Sequence, residues 1–225
     1  MTTSLSKRNH IQKIRSFLAS VYGHRQWKPR LDPISELIQT ILSQNTSDKN
    51  SASAFASLRI AFPAWDDIIA APETAIAYAI REGGLSQVKA RYIKNVLMQI
   101  KQKRGGFDLI FLAEMTVHEA REWLRQLPGV GMKTASCVLL FSLGMPSFPV
   151  DTHVLRVARR LAVVPDKTTA DEAHTLLESI VPEENVYELH MLFIAHGRTT
   201  CKAQRPRCSE CVLGKICPGY MHFVT

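Results

Sequence analysis

The chain has 225 residues, 46% hydrophobic and 21% charged, which is enough apolar material for a core and excludes a disordered chain. It lacks an apolar run of about 18 residues, and Met1–Arg15 is polar and basic, so neither a membrane span nor a secretory signal is expected and a cytoplasmic protein is (nucleoid-associated, if bacterial). Twenty-eight Lys and Arg against 20 Asp and Glu leave a net charge of +8, which suits a polyanionic partner without specifying one.

Short helices are predicted along the whole chain. Asp32-Pro33 is a cap followed by proline, and Ile34, Leu37, Ile38, Ile41 and Leu42 then recur at the helical period. A polar segment, Ser43-Gln44-Asn45-Thr46-Ser47, leads to a second helix from Asp48 that ends at Phe62-Pro63. A third is predicted from Pro72 to Arg81, stopped by Gly83-Gly84. Ser86 is placed to cap a longer helix with Val88, Tyr92, Ile93, Val96, Leu97 and Ile100 on one face, closed by Gly105-Gly106. Lys89 and Arg91 on that helix suit either phosphate contact or solvated surface. Thr116 and Glu119, then Thr169 and Glu172, have capping-box spacing. Helices are expected over Lys133–Leu143, from Asp151 or Thr152 onward, and over Asn185–His196. With no competing strand pattern, the fold class is all-α.

Leu127-Pro128-Gly129-Val130-Gly131-Met132-Lys133-Thr134-Ala135 joins two of these helices. Gly129 and Gly131 permit a tight turn, and unpaired amides at the next helix start can hold a phosphate oxygen. An ordinary helix–loop–helix reads equally well from spacing alone. Lys133 falls in the first helical turn, where the dipole disfavours a cation, and a neutral amine is what a nucleophile requires; a surface lysine on a phosphate is the plainer reading. Asp151 suits a helix N-cap.

Five cysteines are present. Cys137 stands alone and reads as a small core residue. The others form Cys201-x6-Cys208-x2-Cys211-x5-Cys217, and such clustering in an intracellular chain points to a metal centre, zinc or iron–sulfur, over disulfides.

The hairpin string, Val150-Asp151-Thr152-His153 and the 6-2-5 cysteine spacing together resemble the endonuclease III branch of the helix-hairpin-helix DNA glycosylases, from about Ile34 to Cys217. The resemblance implies a two-lobed fold: a central helical barrel over 26–145, and residues 1–25 with 146–225 forming a lobe with a C-terminal iron–sulfur cluster loop. It implies that Lys133 attacks C1′ of an extruded nucleotide and that Asp151 assists departure of the base. It places Gln44 or the adjacent Asn45, and Leu85 from the opposite side, in the gap left in the DNA. Gly129 and Gly131 would grip the backbone. Cys201, Cys208, Cys211 and Cys217 would hold a [4Fe-4S] cluster, with Lys202, Arg205 and Arg207 presented to phosphates. Tyr187-Glu188-Leu189-His190-Met191-Leu192 departs from the Val-Asp-Cys-His-His-Trp of close relatives, which cautions against copying substrate range.

The expected function is a monomeric bifunctional glycosylase and abasic-site lyase acting on oxidised pyrimidines in duplex DNA. Alkylated or mismatched bases are the alternative substrates, and a non-catalytic DNA-binding protein is the alternative class.

Overall fold

The computed structural model describes residues 4–223. Met1–Thr3 of the basic N-terminal stretch and Val224–Thr225 of the expected C-terminal lobe lie outside the described residues. Eleven α-helices, joined by loops and short 3-10 turns, account for the secondary structure, and no strand occurs among the described residues. None of their helices is long and apolar enough to cross a membrane. The chain divides into two compact units, Met1–Lys28 with Pro146–Thr225, and Pro29–Met145.

The Pro29–Met145 unit holds α2 (Pro33–Ser43), α3 (Asp48–Ala61), α4 (Trp65–Ala70), α5 (Glu73–Ala79), α6 (Ser86–Arg104), α7 (Val117–Arg125) and α8 (Met132–Leu143). Asp32 caps α2 by accepting from Ser35 N, with Pro33 at its first turn. Nearly all of α2, and α8 from Thr134 to Ser142, is buried. Both are thus apolar almost all round, as central helices must be. Leu37, Ile38 and Ile41 meet Leu58, Ile93, Leu97, Leu124, Val138 and Leu139 in one cluster. Each such side chain contributes roughly 1.5–3 kcal/mol through removal from water. The buried Glu36 carboxylate accepts from both Arg30 and Thr40, so its charge is paired.

The other unit is built from α1 (Ser4–Tyr22), α9 (Thr152–Arg160), α10 (Ala170–Ile180) and α11 (Val186–Thr199), followed by three 3-10 turns over Cys208–Glu210, Gly214–Ile216 and Pro218–His222. Ile11, Ile14 and Leu18 of α1 are fully buried, and α1 packs on α10 and α11. Glu188 of α11 accepts from Arg15, His24 (2.8 Å) and the Arg25 amide (3.2 Å). Burial raises the Glu188 pKa, but the hydrogen bonds from Arg15, His24 and the Arg25 amide and the Arg15 charge outweigh it and hold it below the usual carboxylate value.

Both capping boxes form as expected, at Thr116/Glu119 and Thr169/Glu172. Other boundaries differ. The helix expected over Pro72–Arg81 stops at Ala79 and tightens into a 3-10 turn, Arg81–Gly83. Ser86 is the first residue of α6 and Leu85 its N-cap, in the left-handed region at φ 48°. The last long helix begins at Val186 and runs to Thr199. Helix α1 was not anticipated; its signal was Ile11, Ile14 and Leu18 at helical spacing within a basic stretch.

Candidate nucleic-acid interface and cysteine centre

In the Pro29–Met145 unit the α7–α8 connection turns tightly over Leu127–Val130, with Val130 N donating to Leu127 O at 3.2 Å. Leu127 and Val130 are buried and anchor the turn. Of the two glycines only Gly129 is required by conformation. Its φ is +75°, and a Cβ there would lie 2.7 Å from the Tyr92 ring of α6. Gly131 is the extended N-cap of α8 with open space around it, so its service is an uncovered helix start. Lys133 follows in the first turn of α8 and is exposed.

Gln44 lies on the turn between α2 and α3, and its side-chain amide donates to Gly129 O (3.1 Å) and Thr134 Oγ1 (3.3 Å). It therefore rests on the hairpin from which Lys133 projects. Asn45 beside it is exposed, with φ 53°. Leu85 is 58% exposed at the start of α6, an unusual position for leucine. The expectation that Lys89 reaches phosphate or solvent is corrected: Lys89 is 2% exposed and its ammonium donates to Leu42 O and Gly83 O. Its aliphatic stem lies on the core face of α6, where periodicity alone had no reason to place a lysine. Arg91 stays exposed, 3.6 Å from Glu73.

In the other unit Asp151 caps α9, its Oδ1 accepting from Val154 N at 2.8 Å. The segment leading to it is held from two helices. Glu178 of α10 accepts from the Phe148 amide (2.8 Å). His174 Nδ1 donates to Phe148 O (2.7 Å), and His190 Nδ1 of α11 donates to Pro149 O (3.0 Å). Both histidines are buried. Since a carbonyl only accepts, each ring carries its proton on Nδ1. Glu178 and His174 carry no local signal for this role, because they lie more than 20 residues from Asp151.

The four clustered cysteines line one small pocket, together with Arg160, His196 and Tyr220 among others. Arg160 Nη1 donates to Cys201 Sγ (3.4 Å) and to Lys202 O (2.7 Å), and Nη2 to Ala203 O (3.2 Å). Cys217 Sγ donates to Arg160 O at 3.4 Å. A Cβ on Gly219 would fall 2.9 Å from that same carbonyl, so glycine lets the last turn close on α9. Arg156, one helical turn before Arg160, donates to Cys201 O and Gly197 O. The Arg156/Arg160 spacing was visible in the sequence, but its meaning was not. Burial raises the Cys208, Cys211 and Cys217 thiols above their usual pKa, with neighbouring cysteines adding to the effect. Burial also lowers His196 to about 4. Among the described residues no three His, Cys, Asp or Glu side chains are grouped to hold a metal ion. Lys202, Arg205 and Arg207 are exposed, and Cys137 is buried.

A sequence profile of the HhH-GPD superfamily base excision DNA repair proteins matches residues 38–183. The chain is 37% identical over 187 residues to endonuclease III of Sulfolobus acidocaldarius, covering 82% of this chain and 81% of that one. It is 33% identical over 189 residues to endonuclease III of Thermotoga maritima, covering 84% of each. Its fold is similar to that of endonuclease III in a trapped covalent intermediate with DNA, with a TM-score of 0.81, 30% identity and 99% of both chains covered. The chain therefore belongs to the HhH-GPD superfamily of base-excision DNA repair proteins, as an endonuclease III-like member.

Proposed function

We propose that this protein is a DNA glycosylase and abasic-site lyase that removes oxidised pyrimidines from duplex DNA. The observation that carries the proposal is an exposed lysine, Lys133, on the first turn of the helix that a braced Gly129 hairpin leads into. Likeness to an endonuclease III caught covalently on DNA supports it.

The hairpin amides and the start of α8 bind phosphate. Gly129 and Gly131 admit the backbone closely. Gln44, with Asn45 beside it, and Leu85 fill the space of an extruded nucleotide, by hydrogen bonding and by an apolar wedge respectively. As the glycosidic bond breaks, positive character grows on the sugar and the Asp151 carboxylate stabilises it. The Lys133 amine attacks C1′ and the base departs with a proton; the C1′–O4′ bond then breaks, O4′ takes a proton, and the opened sugar is left as a protonated Schiff base. The iminium draws electrons from C2′. A proton leaves C2′, the C3′–O bond breaks, and the 3′ phosphate departs by β-elimination. Asp151 also carries protons between these steps.

Cys201, Cys208, Cys211 and Cys217 suit a [4Fe-4S] cluster. They are four soft donors around one cavity, and Arg160 is placed to offset thiolate charge. When bound, the cluster ties the C-terminal turns together. The chain's own part is to present Lys202, Arg205 and Arg207 to phosphates.

Borohydride trapping on an abasic-site duplex tests the nucleophile. Wild-type protein is expected to give a covalent adduct that Lys133→Ala abolishes; an adduct persisting in the variant refutes the assignment. Asp151→Asn is expected to bind duplex while base removal slows at least about 100-fold. Duplexes carrying oxidised pyrimidines, alkylated bases or mismatches set the substrate class, and preference for either of the last two refutes the oxidised-pyrimidine reading. Purified protein is expected to be yellow-brown with about four irons per chain, and stoichiometric zinc instead defeats the cluster.

A further inference from the structure

Lys89 has no part in the chemistry above, yet it is the largest fully buried side chain of polar type in the molecule's described residues. Its ammonium donates to Leu42 O at 2.7 Å and to Gly83 O at 2.8 Å. Leu42 lies in the last turn of α2, where carbonyls have no partner further along the helix. Gly83 ends the 3-10 turn before α6. One cation thus closes the negative ends of two helical segments, a favourable placement for a lysine.

The register of the two bonds is the telling feature. Leu42 stands two residues before Gln44, and Gly83 two residues before Leu85. The turns just beyond each bond carry the residues assigned above to the DNA gap. Both turns also hold a non-glycine residue in the left-handed region, Asn45 at φ 53° and Leu85 at φ 48°. Such conformations persist where surrounding structure over-determines them. Lys89 further shares a face of α6 with Tyr92, three residues on, whose ring braces Gly129.

We propose that Lys89 is a positioning residue for base extrusion, its ammonium fixing the two DNA-inserting turns relative to one another through the carbonyls of Leu42 and Gly83. This inference rests on the glycosylase reading. Lys89 touches no substrate; it acts through the placement of Gln44 and Leu85. Insertion into a duplex demands that both wedges arrive in register, and an unpaired pair of carbonyls lets each turn relax separately.

The test compares two reactions of one variant. Lys89→Met keeps the stem and removes the ammonium. Single-turnover removal of an oxidised pyrimidine is expected to slow at least about 10-fold, because the base must be extruded. Borohydride trapping on a preformed abasic site, where no base is unpaired, is expected to change by less than about 3-fold. In a Gln44→Ala/Leu85→Ala background, Lys89→Met is expected to cost no more than about twofold, since the turns it positions no longer carry wedges. Equal losses in both reactions, no loss in the first, or full additivity in the double background overturns the inference. So does failure of both Lys89→Met and Lys89→Gln to fold by circular dichroism, which makes the ammonium a support of the fold alone. Wild-type protein inactive in both reactions overturns the repair reading, and this inference with it.

Discussion

The Gly129 hairpin and the cysteine turns present backbone or basic side chains to solvent by opposite means. The hairpin stands on a packed helical core. Leu127 and Val130 are buried, Tyr92 lies under Gly129, and Gln44 bonds across the top. The segment from Cys201 to Phe223 has only 3-10 turns, and Leu213 is its one buried hydrophobic side chain among the described residues. Its connections to α9 run instead through Arg156 and Arg160 and through sulfur. Apolar packing preorganises the first region without help. The second has little apolar surface to offset its chain entropy, so it is the region whose order the proposed cluster would change most.

The sharpest way to break this comparison is to remove one of the four cysteines. Cys211→Ser, or protein produced without iron, is expected to lower amide-exchange protection over 201–223 by at least about 100-fold, while that over 127–143 stays unchanged. Equal loss in both regions would show that the hairpin depends on the cysteine centre too. Next in size is Gly129→Ala, which meets both a left-handed backbone and the Tyr92 ring. About 3 kcal/mol of stability is expected to be lost, measured by urea unfolding. Gly131→Ala, with open space and an extended backbone, is expected to cost less than about 1 kcal/mol.

An effect between those of the two glycine variants belongs to the charge-held seam between α1 and α11. Glu188→Gln is expected to cost about 2 kcal/mol at neutral pH. Because the folded Glu188 pKa is depressed, its contribution is fully present above the ordinary value of 4.5 and is lost as pH falls through the lower folded value. The variant's stability should therefore fall less steeply than wild type below about pH 5. Parallel curves in urea unfolding at several pH values would remove Glu188 from the acid response.

How far each site was legible follows the range of its interactions. The Thr116/Glu119 box, the Asp32-Pro33 start and the Asp151 cap are closed by partners three residues away, and each formed as its local sequence required. Lys89 was misread because its acceptors, Leu42 and Gly83, are brought to it by packing of α2 and the 3-10 turn, not by α6 itself. The supports of the Asp151 segment escaped for the same reason, as did the Tyr92 ring that makes Gly129 obligatory.

Chain order by itself determined the all-helical class, the helix caps, the hairpin and the cysteine set, because backbone hydrogen bonding and the helical repeat act over a few residues. Tertiary packing decided which charges are buried, which glycine is indispensable and where the guanidinium beside Cys201 comes from. Those outcomes depend on desolvation and on contacts between segments tens of residues apart, and neither quantity exists until the core has closed.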